Sequence, residues 1–259
     1  MKRRAPLFNP ERLENLGPSK KTAGNTWFFR DDAGEEYVAK HSDGDFPFAV
    51  LNKWVSARLA EAAGIPLPPF DLVRHDGQPW FFSKRLDLKN GTEVGSDAYA
   101  TESFSRGLGD ILAFDLWVMN RDRHLNNFLV REKEEGLSPV AFDHDRAILS
   151  KALALPALEV THSMDAVYLI HRSFRRLLSK GKLVLGPSCV SQSISRVKVV
   201  RPGAIREIVA DARELASPEV LEAVACVLCD RRDRIDSIFH RITSHHELSR
   251  AFATDRPGA

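Results

Sequence analysis

The feature that most constrains this chain lies between residues 120 and 145. The stretch Asn120-Arg-Asp-Arg-His-Leu-Asn-Asn-Phe-Leu-Val130 ends an apolar helical pattern and presents Asp122, Arg123, His124 and Asn127 in a polar loop. A short apolar run at 128–130 follows, and the polar turn 131–139 separates it from a second run at 140–142. Two such runs about a turn predict a β-hairpin, and its exit carries Asp143, His144 and Asp145. A hairpin returns the chain to where it entered, so Asp122, Asn127 and Asp143 come together at the ends of short elements.

The residues before this segment predict a small sheet carrying one helix. Residues 25–30 suit a strand, Asp31-Asp-Ala-Gly34 a turn, and 35–40 a second strand ending on Lys40. Residues 47–63 repeat their apolar side chains at the helical period, until Gly64 and Pro66 stop the pattern. Two short strands follow at 70–73 and 80–82, then a polar connection at 89–102. Phe104, Leu108, Ile111 and Leu116 mark a second helix, ending at Asn120. Beyond residue 151 the pattern is helical, with Ser217 as an N-cap and Pro218 opening a helix. The four tryptophans, Trp27, Trp54, Trp80 and Trp117, read as core aromatics.

Phosphoryl transfer needs the kit that the hairpin gathers. An Asp accepts or orients the proton of an acceptor hydroxyl, while an Asn and a second Asp hold Mg²⁺ against nucleotide phosphates. Oxygen donors suit Mg²⁺, which takes few protein ligands and keeps several waters. The offset of five from Asp122 to Asn127 equals that between Asp and Asn in the protein-kinase catalytic loop. A metallohydrolase built on Asp143, His144 and Asp145 fits less well, because alternate residues of an extended segment face opposite ways.

Asp-Arg-His-x-x-Asn, with His after the Asp-Arg pair, resembles the catalytic loop of HipA-like kinases and of the phosphatidylinositol-kinase-like group. Phe142-Asp-His-Asp145 is similar to the segment where such kinases place their metal-binding Asp, and Tyr37-Val-Ala-Lys40 to the strand bearing the ATP-contacting Lys. The resemblance runs in order from residue 25 to 150. It implies an α+β, two-lobed, protein-kinase-like fold, with an N-terminal arm and phosphate-loop region at 1–24 and a nucleotide lobe at 25–88. A helical lobe with the catalytic loop and metal-binding segment then spans 89–250, and a tail 251–259.

The resemblance also implies roles and ligands. Asp122 is the expected base, with Arg123 and His124 steadying the loop or approaching the phosphates, and Asn127 and Asp143 are the expected Mg²⁺ ligands. Lys40 is the phosphate contact, and Lys20 and Lys21 lie in Gly17-Pro-Ser-Lys-Lys-Thr-Ala-Gly24, where a phosphate loop belongs. Ser83 and Arg85 belong to a segment expected beside the adenine of ATP. The acceptor is expected to be a Ser or Thr of a protein; a phosphoinositide or small molecule, or a non-catalytic nucleotide-sensing module, are the other readings. A DNA-binding, antitoxin-like partner is also implied. One departure stands out. The family's usual Glu after Asn52 is Lys53 here, which leaves Glu61 or Glu36 as expected partners of Lys40.

Composition limits the rest. No stretch approaches the roughly 20 apolar residues of a spanning helix, so no membrane partner is expected. Three cysteines without framework spacing fit a reducing, cytoplasmic compartment, and Cys226-Val-Leu-Cys229 lies within a helical pattern. The net charge is +2, yet residues 1–160 carry 21 basic against 24 acidic side chains and residues 161–259 carry 16 against 11. The basic second part reads first as a solvated helical face, and no direct nucleic-acid binding is expected.

Overall fold

Alternation along five strands decides the first lobe. In the computed structural model, which describes residues 7–19, 26–134, 136–149, 169–245, 248 and 252, these strands form one antiparallel sheet. They are β1 (Glu14–Pro18), β2 (Thr26–Arg30), β3 (Glu36–His41), β4 (Phe70–His75) and β5 (Gln78–Lys84), in the order β1-β2-β3-β5-β4. Phe29, Tyr37, Ala39, Trp80 and Phe82 share one face and pack against Phe8 from the segment before β1. The register pairs Lys40 with Thr26 and Phe81, and Val38 with Phe28 and Ser83, so these six residues share the opposite face.

Helix α1 (Ala49–Ala63) packs on that second face, touching β3, β4 and β5. Its sequence reads as amphipathic, yet 12 of its 15 residues are buried, because the helical lobe covers its other side. The helix stops where Gly64 adopts a left-handed conformation (φ 70°), its N–H directed to the carbonyls of Ala60 and Glu61. The region expected as an arm before residue 25 also contributes to the sheet: Gly17 and Pro18, which read as loop, lie in the edge strand β1. Lys20 and Lys21 lie outside the described residues.

The second lobe begins with β6 (Lys89–Asn90), which pairs with β7 (Phe128–Lys133), itself paired with β8 (Gly136–Ala141). The hairpin is longer than the two apolar runs predict, and β6 falls in the stretch that reads as a polar connection. Gly91, just after β6, shows how closely this connection presses on the polar loop before β7. A Cβ there would lie 2.2 Å from the Phe128 ring and 2.6 Å from the Leu125 carbonyl oxygen. Gly91→Ala is therefore expected to destabilise the fold by about 1–3 kcal/mol through overpacking, measured as a lowered denaturation midpoint.

Six helices make the described remainder of this lobe. They are α2 (Glu102–Trp117), α3 (Arg172–Ser179), α4 (Pro187–Lys198), α5 (Pro202–Ala210), α6 (Pro218–Asp233) and α7 (Ile235–Thr243). Helix α2 is the axle, packed against β8, α4, α6 and α7. It ends at Trp117 rather than Asn120, since Met119 takes a left-handed conformation (φ 58°) that breaks the helix. Carbonyls at a buried helix end need donors. Arg231 of α6 supplies them, its Nε donating to the Trp117 carbonyl at 3.0 Å and its Nη2 to that of Leu116. Burial pulls the Arg231 guanidinium down to about 10. Trp117 Nε1 in turn donates to the Leu228 carbonyl at 2.8 Å. Ser217 occupies the N-cap of α6 and Pro218 its first turn, without a side-chain cap bond. Among the described residues no helix is long and apolar enough to cross a membrane.

Candidate active site

Between the lobes lies a cleft of about 280 Å³. Its roof is the second face of the sheet, including Val38, Lys40, Phe81 and Ser83; α1 adds Lys53, and the segment after β5 adds Arg85 and Leu86. Leu129, Phe142 and Asp143 close it from the helical lobe. Apolar walls with a few charges gathered at one place are the usual make-up of a small-molecule site.

Those charges are two lysines and two aspartates. Lys40 Nζ lies 3.0 Å from Asp143 Oδ1 and also pairs with Asp145 Oδ2. Lys53 Nζ lies 2.8 Å from Asp143 Oδ1 and 5.5 Å from the centre of the Phe81 ring. Asp143 reaches both lysines from a left-handed backbone (φ 60°), a conformation Asp tolerates better than most residues. Burial works to raise the Asp143 pKa, but Lys53 and Lys40 hold the carboxylate far below its usual range. Burial likewise disfavours the charge on Lys40, and Asp143 and Asp145 more than offset it, raising its pKa.

The expected partners of Lys40 are thereby corrected. Glu61 pairs with Arg58 at 2.8 Å, and Glu36 pairs with Arg30 at 2.9 Å and Arg85 at 2.6 Å. The carboxylates beside Lys40 come from Asp143, the candidate metal ligand, and from Asp145 two residues past it, so Lys53 in place of a helix Glu does not leave Lys40 unpaired. Asn52, the neighbour of Lys53, fastens α1 to this segment instead: its Nδ2 donates to the Asp145 carbonyl at 2.8 Å and the Leu149 carbonyl at 2.6 Å.

The catalytic-type loop hangs from the end of α2 by a buried clamp. Arg123 Nε donates to Asp115 Oδ2 at 2.7 Å and its Nη2 to Asp115 Oδ1 at 3.0 Å, both side chains 4% exposed. Arg123 Nη1 donates to the carbonyls of Asn127 and of Phe142, at 2.5 Å for the latter, so one guanidinium holds the loop and the hairpin exit together. His144 turns inward as well, with Nε2 2.7 Å from Arg123 Nη2 and its ring edge-on to Phe114. Burial and the Arg123 charge hold His144 below its ordinary pKa. Thus Asp143, His144 and Asp145 do not converge on one point.

Each predicted residue can now be placed. Lys40, Ser83, Arg85 and Asp143 line the cleft, although the Arg85 guanidinium is tied to Glu36 and lies 5.4 Å from the Phe28 ring. Ser83 Oγ is 3.4 Å from the Val38 carbonyl. Arg123 is buried in the clamp, where it steadies the loop, and lines neither the cleft nor the pocket of Asp122. His124 Nδ1 accepts from the Asn126 N–H at 3.2 Å, and its ring rests 5.7 Å from that of His171. Asn127 Nδ2 donates to the Asp122 carbonyl at 2.7 Å, which leaves its Oδ1 as the acceptor. Asp122 lines a separate pocket of about 440 Å³ that Asp145 and Phe46 share, with Arg146 Nε 3.7 Å from its Oδ2. Lys53, Asp145 and Asp115 were not among the expected site residues. Among the described residues no three His, Cys, Asp or Glu side chains are grouped to hold a metal. Cys226 and Cys229 are free thiols with separate partners, Glu222 and the Pro202 carbonyl.

A sheet lobe, a helical lobe and a charged cleft between them define the kinase-like class. The chain belongs to the HipA-like kinase family, whose model matches residues 14–162, more than half its length. Among solved structures it is similar to the proinflammatory kinase CtkA of Helicobacter pylori, with TM-score 0.62 and 13% identity over 89% of this chain and 95% of that one. It is also similar to HipA of Shewanella oneidensis MR-1 in a complex with HipB and operator DNA, with TM-score 0.48 and 12% identity over 92% and 67%. Rio2 kinase of Chaetomium thermophilum, in an ADP/Mg²⁺-phosphoaspartate complex, gives TM-score 0.46 and 12% identity over 85% and 72%. At such identities the likeness to CtkA speaks for the fold alone, and the two weaker ones add no argument. No curated protein matches the sequence significantly.

Proposed function

We propose that this chain transfers the γ-phosphate of ATP, as its Mg²⁺ complex, to a hydroxyl, most simply a Ser or Thr of a protein. The observation that carries this reading is the meeting of Lys40, Lys53 and Asp143 at one part of an apolar cleft. Two lysines and two aspartates balance one another there. A triphosphate can take over the lysines while a cation takes over Asp143, so binding exchanges one set of pairings for another. Asn127 Oδ1 and the Asp143 carboxylate are hard oxygen donors that fit Mg²⁺ and would hold it; Mg²⁺, when bound, neutralises charge on the transferring phosphoryl group. Lys40 and Lys53 anchor phosphate oxygens. Asp122, in its own pocket beside the cleft, orients the acceptor hydroxyl and takes its proton.

Asp143→Asn is expected to weaken Mg²⁺–ATP binding by at least about 100-fold, read by calorimetry, because a metal ligand matters more than its supporting partners. Binding unchanged by that substitution would overturn the assignment. Lys53→Glu restores the family's usual residue but sets a second carboxylate beside Asp143. It is expected to weaken nucleotide binding, which the same titration measures. The family resemblance also supports a DNA-binding antitoxin-like partner, tested by co-purification with the product of a neighbouring gene.

A further inference from the structure

The net positive charge of residues 161–259 reads from sequence as a solvated face. The structure gathers part of it into a groove of about 580 Å³ along α3, lined by Arg172, Arg176, Lys180 and Lys182 with Leu125 and Leu177. All four cations are exposed, and none has a carboxylate partner among the described residues. Four like charges around one concavity raise its potential and favour an anionic occupant.

The place of the groove matters as much as its charge. Leu125, part of its wall, is three residues from Asp122 in the catalytic-type loop. Helix α3 is docked onto that loop: His171 caps its N-terminus and rests on the His124 ring, while Phe174 lies 6.0 Å from Phe128. Asp122 acts electrostatically on His171, in opposition to the burial that lowers its pKa. A chain seated in the groove therefore passes close to the proposed acceptor site.

We infer that this groove binds an acidic peptide segment of the phosphoacceptor, rich in Asp or Glu and adjoining the hydroxyl that is modified. This rests on the kinase reading and names the substrate class for it. Leu125 and Leu177 give the groove apolar surface that suits side chains, and the cations belong to one short helix and the turn after it rather than a long track. Both features favour a peptide over a nucleic-acid backbone, which needs positive charge spread along its path.

The test uses the intact protein and two fluorescein-labelled peptides, each with one serine flanked by four Glu or by four Gln. Fluorescence anisotropy at about 50 and 300 mM salt spans the range over which exposed charges become screened. The Glu peptide is expected to bind about 10-fold tighter than the Gln peptide at low salt and to lose that advantage at high salt. Arg176→Ala/Lys180→Ala/Lys182→Ala should remove the preference and leave binding of Mg²⁺–ATP, measured in parallel, unchanged. Lys180→Ala and Lys182→Ala singly, at the exposed end of the groove, should each remove part of it. Equal binding of the two peptides, an unaffected triple variant, or displacement by a poly-dT oligonucleotide would each overturn the inference. Loss of Mg²⁺–ATP binding from the wild-type protein would instead strike the kinase reading, with the peptide comparison still deciding the groove.

Discussion

Asp122→Asn is expected to lower turnover by about 10²–10⁴-fold, the usual worth of a positioned general base, while leaving the Kd for Mg²⁺–ATP within about twofold. The separation follows from how Asp122 is held. Its N–H donates to Asn120 Oδ1 at 3.2 Å, and its carbonyl accepts from Asn127 Nδ2 at 2.7 Å and from the His124 N–H at 2.8 Å, so all three bonds that place it in the loop use its main chain. Its carboxylate is part of a pocket distinct from the cleft. An amide of the same shape preserves the loop and removes only the proton acceptor. Phosphate transfer measured under single-turnover conditions, beside calorimetric nucleotide binding, checks both halves. Unchanged turnover would remove Asp122 from the chemistry.

Arg123→Leu is expected to produce the largest loss of stability, about 3–5 kcal/mol, because it removes the one full positive charge from the buried Asp115 carboxylate and leaves only the Asn120 amide and His144 beside it. The same change releases the Asn127 and Phe142 carbonyls, so nucleotide binding falls with stability. A pH series separates this from simple loss of packing. In the wild type, burial opposes the charge on Asp115 but Arg123 and His144 hold its pKa below the ordinary value. That stabilisation is present above the unfolded pKa of about 3.9 and is lost as pH falls through the lower folded value. Without Arg123, burial is opposed only by His144 and the Asn120 amide, so the Asp115 pKa rises, and the penalty shrinks on acidification as the group takes up its proton. The gap in thermal midpoint between wild type and variant should therefore narrow from pH 7 to pH 5. Asp115→Leu/Arg123→Leu should recover part of the lost stability.

The order of strand, helix, polar loop, hairpin and acidic exit was legible in the sequence because each rests on local periodicity or turn chemistry. The loop from Asp122 to Asn127 was legible for the same reason, and Asn127 Nδ2 does meet the Asp122 carbonyl, but the side chains of Asp122 and Asp143 line different pockets. What escaped was pairing between distant segments. Asp145 and Lys40 are 105 residues apart, and no local pattern marks the second acid of Asp-His-Asp as the lysine's partner. Lys53 sits in a helix whose pattern suggests a solvent-facing side, and only burial of that helix on both sides turns it into the cleft. Strand β1 was hidden by Gly17-Pro18, and β6 is too short to carry a pattern. Arg123 read as steadying the loop or approaching the phosphates, and it does the first; what the sequence hid was its partner Asp115, inside a helix that looks merely apolar.

The likeness to the family stops at residue 162, but mechanical support does not. The foundation under the catalytic-type loop includes Arg231, which holds the last carbonyls of α2 from more than a hundred residues away. A fragment cut at the limit of the family match would keep Lys40, Lys53, Asp122, Asn127 and Asp143. It would lose the strut that satisfies the end of α2, from which the loop bearing Asp122 departs. Trimming the chain to its matched region would preserve its parts list and abolish their alignment, and variation in α6 is open to act on the site without touching the cleft.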